Sequence, residues 1–166
     1  MIQVYTGNGK GKTTAAVGLA LRALGAGKSV FMGQFIKDGD SSESAPLRAA
    51  GAVVEQFGSG MILGREANAG DYAAAARGVA RAREQLGGDG PDLVILDELN
   101  VAVKLGLVAL ADVLALVERS ARDQELIITG RDAPAELQER ADLVTEMREI
   151  KHYFRDGHPA RHGIEY

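Results

Sequence analysis

Thr6-Gly7-Asn8-Gly9-Lys10-Gly11-Lys12-Thr13-Thr14 is the stretch that decides how the rest of this chain is read. It follows a short apolar run, Ile2 to Tyr5, and precedes a segment of helical character, Thr14 to Leu24. The stretch is therefore expected where a strand turns into a helix, the setting that a phosphate-binding loop requires. Glycines let the backbone curl with its N–H groups turned inward, and the helix N-terminus adds the positive end of its dipole. In such a loop Lys12 places a cation on the outer phosphates and the Thr13 hydroxyl ligates magnesium. The common pattern has glycine where this chain has Thr6, while Gly7, Gly9 and Gly11 keep the flexibility. The competing reading is a glycine-rich turn that binds nothing. The Gly11-Lys12-Thr13-Thr14 core, falling at the strand-to-helix turn, weighs against it.

Working outward, short β-branched runs alternate with longer runs rich in alanine and leucine. Strands are expected at Ile2–Tyr5, Ser29–Gln34, Ala52–Phe57, Leu93–Asp97, Glu125–Thr129 and Leu143–Ile150. Helices are expected at Lys12–Leu24, Pro46–Ala50, Asp71–Leu86, Leu110–Ala121 and Pro134–Ala141. Leu93-Val94-Ile95-Leu96 and Leu126-Ile127-Ile128 are continuously apolar, as parallel strands covered on both faces must be. The fold class is α/β: an open, mostly parallel sheet of about six strands with helices on both faces. Ligands of such sheets bind beyond the carboxyl ends of the strands. The glycine-rich loop, the pair Asp97–Glu98 and the turn Thr129–Arg131 all fall at such ends. With 166 residues and no shift in composition, one domain over 1–166 is expected.

Composition narrows the function classes. The chain is 46% hydrophobic and 25% charged, which is a globular balance. A net charge of −4 argues against a nucleic-acid footprint and against an anionic membrane partner. The cysteine count of 0 excludes disulfides, thiolate metal sites and a thiol nucleophile. The longest apolar region, Leu105 to Val117, is interrupted by Asp112 and too short to span a bilayer. No leader pattern precedes the first strand, so a soluble, cytoplasmic protein is expected.

Leu93-Val94-Ile95-Leu96-Asp97-Glu98 is an apolar strand ending in two carboxylates. Behind a phosphate loop, an acid at this position holds magnesium, usually through water. The alternative is a pair of helix-capping acids placed by the dipole. Arg131, after the fifth strand, is either an arginine finger of a nucleotide hydrolase or kinase, or a solvated capping residue, and its spacing decides neither. His152, His158 and His162 cluster late in the chain at irregular spacing. A polar tail accounts for them better than a metal site.

These residues carry a resemblance. Thr6 to Ala16 resembles the P-loop of the ATP:corrinoid adenosyltransferases, the cob(I)yrinic acid a,c-diamide type, which also place Thr at the first motif position. The likeness continues through Gln34-Phe35-Ile36-Lys37, Leu96-Asp97-Glu98-Leu99, Ile127 to Arg131, Ala141-Asp142, Val144, Glu146, Lys151-His152 and Gly163 to Tyr166. These landmarks span nearly the whole chain in order. The resemblance implies a RecA-like, three-layer P-loop fold. It also implies transfer of the 5′-deoxyadenosyl group of ATP to cobalt(I) of a corrinoid, with triphosphate released, in cobalamin biosynthesis or salvage. ATP is the co-substrate, Mg2+ or Mn2+ the metal, and the corrinoid the acceptor. A homodimer and a flavoprotein or other reductant are the partners it suggests. A generic P-loop ATPase or kinase and a non-catalytic nucleotide- or corrinoid-binding protein are the alternatives.

Carried over residue by residue, the resemblance makes Gly7, Asn8, Gly9, Lys10, Gly11, Lys12, Thr13 and Thr14 the triphosphate cradle. Lys12 and Glu98 are its catalytic residues, and Thr13, Glu98 and Asp97 its metal ligands, with Asp97 behind or sharing the metal. Gln34 and Lys37 face the nucleotide or the corrinoid edge, and Arg131 reaches the phosphates. The family packs an aromatic-rich loop under the corrin ring. Here Gly58-Ser59-Gly60-Met61-Ile62-Leu63 takes that place, so Met61 and Leu63 are the expected apolar contacts. The family's N-terminal extension over the site has no counterpart in this chain, and a partner subunit or the tail 151–166 is expected to cover it.

Overall fold

Leu93, Val94, Ile95 and Leu96 are all buried, and so are Leu126, Ile127 and Ile128. Successive side chains of a strand point to opposite faces, so strands apolar at every position belong to a sheet covered on both sides. The computed structural model describes residues 1–39, 41–59, 62 and 65–165. Its strands are β1 (Ile2–Thr6), β2 (Val30–Phe35), β3 (Val53–Phe57), β4 (Leu93–Asp97), β5 (Glu125–Thr129) and β6 (Leu143–Glu146). They form one sheet in the order β3-β2-β4-β5-β1-β6. Every neighbouring pair is parallel. The helices are α1 (Lys12–Gly25), α2 (Ser44–Ala49), α3 (Ala69–Gln85), α4 (Leu99–Lys104), α5 (Leu110–Arg119) and α6 (Ala135–Arg140).

The alternation sorts the core into two layers. Phe31, Phe35, Val94, Leu96 and Ile128 pack with Ala75 and Val79 of α3 and with Val113 and Leu116 of α5. Met32, Ile95 and Ile127 face the other way, against Ala16 and Ala20 of α1 and Leu47 of α2. Each fully buried Leu, Ile or Phe contributes about 1.5–3 kcal/mol relative to exposure. This is the expected helix–sheet–helix arrangement.

Local chemistry sets the ends of the elements. Asn68 Oδ1 accepts from the N–H groups of Gly70 (2.8 Å) and Asp71 (3.2 Å), while Asp71 Oδ2 accepts from Asn68 N–H at 2.8 Å. This reciprocal cap starts α3 at Ala69, two residues before the expected Asp71. Gly78 is needed inside α3 because a Cβ there would lie 2.6 Å from Phe35 Cε1 and 2.9 Å from Phe57 Cγ.

Two expectations need correction. The strand expected over Leu143–Ile150 ends at Glu146. Its partner β1 stops at Thr6, and beyond it Met147 N–H donates to Thr6 O (2.8 Å) while Met147 O accepts from Gly9 N–H (2.6 Å). The chain then follows the glycine-rich loop, which offers no further ladder. The short helix α4 was not anticipated: six residues are too few for a periodicity, although Leu99 and Ala102 are buried.

The order and register bring three carboxyl ends together. Gln34 pairs with Asp97, Leu96 with Ile128, and Tyr5 with Thr129. One row of residues therefore runs along the edge from β2 through β4 and β5 to β1, directly under the loop that leaves β1. Among the described residues, no helix is long and apolar enough to cross a membrane.

Candidate active site

The loop between β1 and α1 turns into the helix at Gly11, which has φ +116°. This left-handed backbone suits glycine. No side chain caps the N-terminus of the 14-residue helix α1. The early N–H groups of a helix have no partners within it, and here they open into a cleft of about 670 Å³ lined by Gly11, Lys12, Thr13 and Thr14. Gly7 and Gly9 answer to a different constraint. A Cβ on either would lie 2.5 or 2.7 Å from the carbonyl oxygen of Met147. The segment after β6 is pressed against the loop so closely that only glycine fits.

Lys12 is buried, and its ammonium donates to Gly7 O at 2.8 Å and Gly9 O at 2.7 Å. Burial pulls its pKa below the ordinary lysine value, and the neighbouring Glu98 only partly offsets this. The loop therefore holds a desolvated cation folded over its own carbonyls. An anion entering the cleft would offer that cation a stronger partner.

Asp97 ends β4 with no exposed surface. Its Oδ1 accepts from the hydroxyls of Thr13 (2.8 Å) and Thr129 (2.7 Å), and its Oδ2 accepts from the ammonium of Lys37 at 3.2 Å. Thr13 spends its one proton on Asp97, which leaves its oxygen lone pairs for another ligand. Glu98 follows in a left-handed conformation (φ 58°) that turns its side chain into the cleft. Burial, reinforced by Asp97, holds its pKa above the ordinary carboxylate value. Among the described residues there is no cluster of three or more His, Cys, Asp or Glu suited to a metal. A hydroxyl and two carboxylates make a hard-oxygen set that fits a magnesium-type ion completed by substrate phosphates. They would not suffice for a fully protein-bound metal.

Lys37 bridges Asp97 and Glu43, the latter at 3.0 Å. Burial opposes its charge, but the two carboxylates outweigh it and its pKa is raised. The strand turns there through Ile36 at φ 64°, and Gly58 lets it pass, since a Cβ on Gly58 would sit 2.5 Å from Lys37 O. Gln34, expected at the ligand edge, is fully buried behind this pair. Its Nε2 donates to Glu43 at 2.9 Å, and its Oε1 accepts from Ser41, Ser44 and Gln56. Gln34 positions Glu43, and Glu43 faces the cleft. Sequence reasoning gave Glu43 no role, because one acid in a polar loop carries no signal of its own.

A second cleft, of about 540 Å³, opens on the other side of Lys10, with Asn8, Gly9, Arg131, Tyr153 and His158 in its walls. The tail divides the two clefts. Lys10 donates to Ile164 O at 2.5 Å and lies 3.6 Å from Glu165. Glu165 also accepts from Tyr153 and from Arg161 N–H (2.6 Å). The Arg161 guanidinium, 3.2 Å away, then Tyr153, and lastly the backbone N–H hold the pKa of Glu165 down at about 2. The tail thus meets the loop at Lys10. His152 caps Tyr153–Asp156, its Nδ1 accepting from Phe154 N–H at 3.1 Å. Met61 and Leu63 lie outside the described residues.

Comparison with known proteins supplies the family. The model of the ATP:corrinoid adenosyltransferase BtuR/CobO/CobP family matches residues 1–166. Corrinoid adenosyltransferases of Escherichia coli (strain K12) and Pseudomonas aeruginosa are each 38% identical to this chain across its full length, which covers 85% and 83% of those proteins. The corrinoid adenosyltransferase CobA of Salmonella typhimurium is 36% identical, again over the full chain and 85% of its own length. Among solved structures, the RadB recombinase superposes with a TM-score of 0.56 at 14% identity, over 91% of this chain and 75% of that one. At that identity the likeness establishes a shared RecA-like fold and nothing about activity.

Proposed function

Because this chain belongs to the ATP:corrinoid adenosyltransferase family, we propose a division of labour among its residues for ATP-dependent adenosylation of corrinoids, the family's reaction in cobalamin metabolism. The observation that carries it is the convergence of the uncapped N-terminus of α1, Lys12 and the Thr13–Asp97–Glu98 cluster on one cleft.

Cobalt(I) of the substrate carries a lone pair and is itself the nucleophile. Its pair forms the cobalt–carbon bond at C5′ of the ribose as the C5′–oxygen bond breaks, and the electrons of that bond leave on triphosphate. No proton is removed in the attack, so the protein needs no general base and no nucleophile of its own. Its tasks are to position ATP and to stabilise the charge that grows on the leaving phosphate. The α1 amides from Lys12 to Thr14 and the Lys12 ammonium would receive that charge. Lys10 and Asn8 would close the cradle, and Arg131 would approach from the second cleft. Magnesium or manganese would be held by Thr13 and Glu98 with Asp97 behind them, supplying positive charge to the triphosphate. Lys37 and Glu43 would border the nucleotide or the corrinoid edge, and Met61 and Leu63 the corrin ring. In this reading the chain acts as one domain, in a cytoplasmic homodimer, with a flavoprotein or other reductant supplying cobalt(I).

Incubation with ATP, Mg2+ and chemically reduced cobalamin tests the reading by visible absorbance. A light-sensitive cobalt–carbon product formed together with triphosphate is the expected result. Release of ADP and orthophosphate alone, lost in an Arg131→Ala variant, would establish the hydrolytic alternative instead.

A further inference from the structure

Thr129 closes β5 and has no exposed surface, so it can touch neither ATP nor corrinoid. Its single hydroxyl nevertheless makes two bonds, one to each residue of the acidic pair. It donates to Asp97 Oδ1 at 2.7 Å and accepts from the backbone N–H of Glu98 at 3.0 Å. These two bonds act on different parts of the site. The first shares Asp97 Oδ1 with the Thr13 hydroxyl, which donates to it at 2.8 Å. With its proton committed to Asp97, Thr13 turns its lone pairs outward. The second bond holds the peptide N–H of a residue forced to φ 58°. A non-glycine residue in that region is strained and persists only where its surroundings fix it. Freed of that anchor, Glu98 would relax toward ordinary backbone geometry and its carboxylate would swing away from Thr13.

We infer that Thr129 is the positioning residue of the metal site, one hydroxyl that sets the Asp97 carboxylate and the Glu98 backbone together and so aims Thr13 and Glu98 at a divalent cation. The inference rests on the assignment of that site to Thr13, Asp97 and Glu98. Residues that orient metal ligands from behind typically change metal affinity by about 10–100-fold when replaced. Thr129→Val keeps the shape of the side chain and removes both hydrogen bonds. Thr129→Ser keeps the hydroxyl.

The test needs no turnover. ATP affinity is measured by calorimetry without corrinoid, once with excess Mn2+ and once with EDTA, and the ratio of the two isolates the metal's contacts with the protein. The expected result for Thr129→Val is a ratio at least tenfold smaller than in the wild type, with the EDTA affinity unchanged and the protein folded by circular dichroism. Thr129→Ser should restore the ratio to within about threefold of wild type. A purely structural role would weaken both affinities together and leave the ratio intact, which would overturn the inference. So would a Thr129→Ser ratio as low as that of Thr129→Val. Should Thr129→Val not fold, Thr129→Cys takes its place, because a thiol is close in size to serine's hydroxyl and a poor donor. Its ratio is expected at least fivefold below that of Thr129→Ser, and equality would overturn the inference. A wild-type protein whose ATP affinity gains nothing from Mn2+ removes the metal assignment itself, a result distinct from all of these.

Discussion

Replacing Lys12 with methionine should separate stability from catalysis. The ammonium is buried against Gly7 O and Gly9 O at 2.8 and 2.7 Å, so its loss removes two charge-assisted hydrogen bonds. Those bonds do not repay the desolvation of the charge, since burial is the dominant influence on Lys12 and lowers its pKa. The sign follows: at neutral pH the protonated lysine costs the folded state free energy, and that cost disappears only as pH rises toward the ordinary lysine value. Methionine fills a similar volume without charge, so folding stability should change by no more than about 1 kcal/mol, a shift of about 2–4 °C in Tm for a chain of this size. Catalysis is different, because the same charge faces the leaving triphosphate, where negative charge grows. Loss of one preorganised stabiliser of that kind costs about 3 kcal/mol, or about a hundredfold in rate. The assay is formation of the light-sensitive cobalt–carbon product from chemically reduced cobalamin at saturating ATP, run beside a thermal melt. A Lys12→Met protein that turns over within tenfold of wild type would refute the placement of Lys12 on the phosphates. A drop in Tm of more than about 8 °C would refute the claim that its burial is a cost.

Glu98→Gln should raise the Tm of the nucleotide-free protein at pH 8, because burial and Asp97 disfavour the ionised carboxylate and raise its pKa. The folded state holds that proton more tightly than the unfolded chain does. The stability it contributes is therefore present in acid and lost as pH rises through the raised value. The gain in the variant should vanish near pH 4, and a gain independent of pH would contradict this cause. Gly78→Ala should destabilise the protein by about 1 kcal/mol in urea, since a Cβ 2.6 Å from Phe35 overpacks a buried ring pair by more than the alanine gains in helix propensity. Asn68→Ala should cost about 1 kcal/mol in the same measurement, through loss of the cap on Gly70 and Asp71, with adenosylation per folded molecule unchanged. No loss in either variant would show that α3 is anchored by other contacts.

The residues of the acidic edge show how far the chain could be read unaided. Asp97 and Glu98 were legible because an apolar strand that ends in acids behind a glycine-rich loop has few other uses. Glu43 and Thr129 were not, although one borders the cleft and the other orients its acids. Thr129 gains its role from Asp97, 32 residues away on the neighbouring strand, and Glu43 gains its own from Lys37 and Gln34, 6 and 9 residues before it around a polar loop with no periodicity to read. Composition and spacing carry information about neighbours in sequence, and hydrogen bonds across a sheet are not among them.

Gly7 and Gly9 mark the same boundary from the other side. The sequence alone determined that the loop must curl, that α1 must start at its end and that strands apolar at every position need cover on both faces, because these follow from backbone sterics and from water's exclusion of apolar surface. Only the tertiary structure decided why those two glycines tolerate no side chain. The reason is the carbonyl of Met147, laid against them by the edge strand β6, which the chain reaches only after crossing the whole sheet.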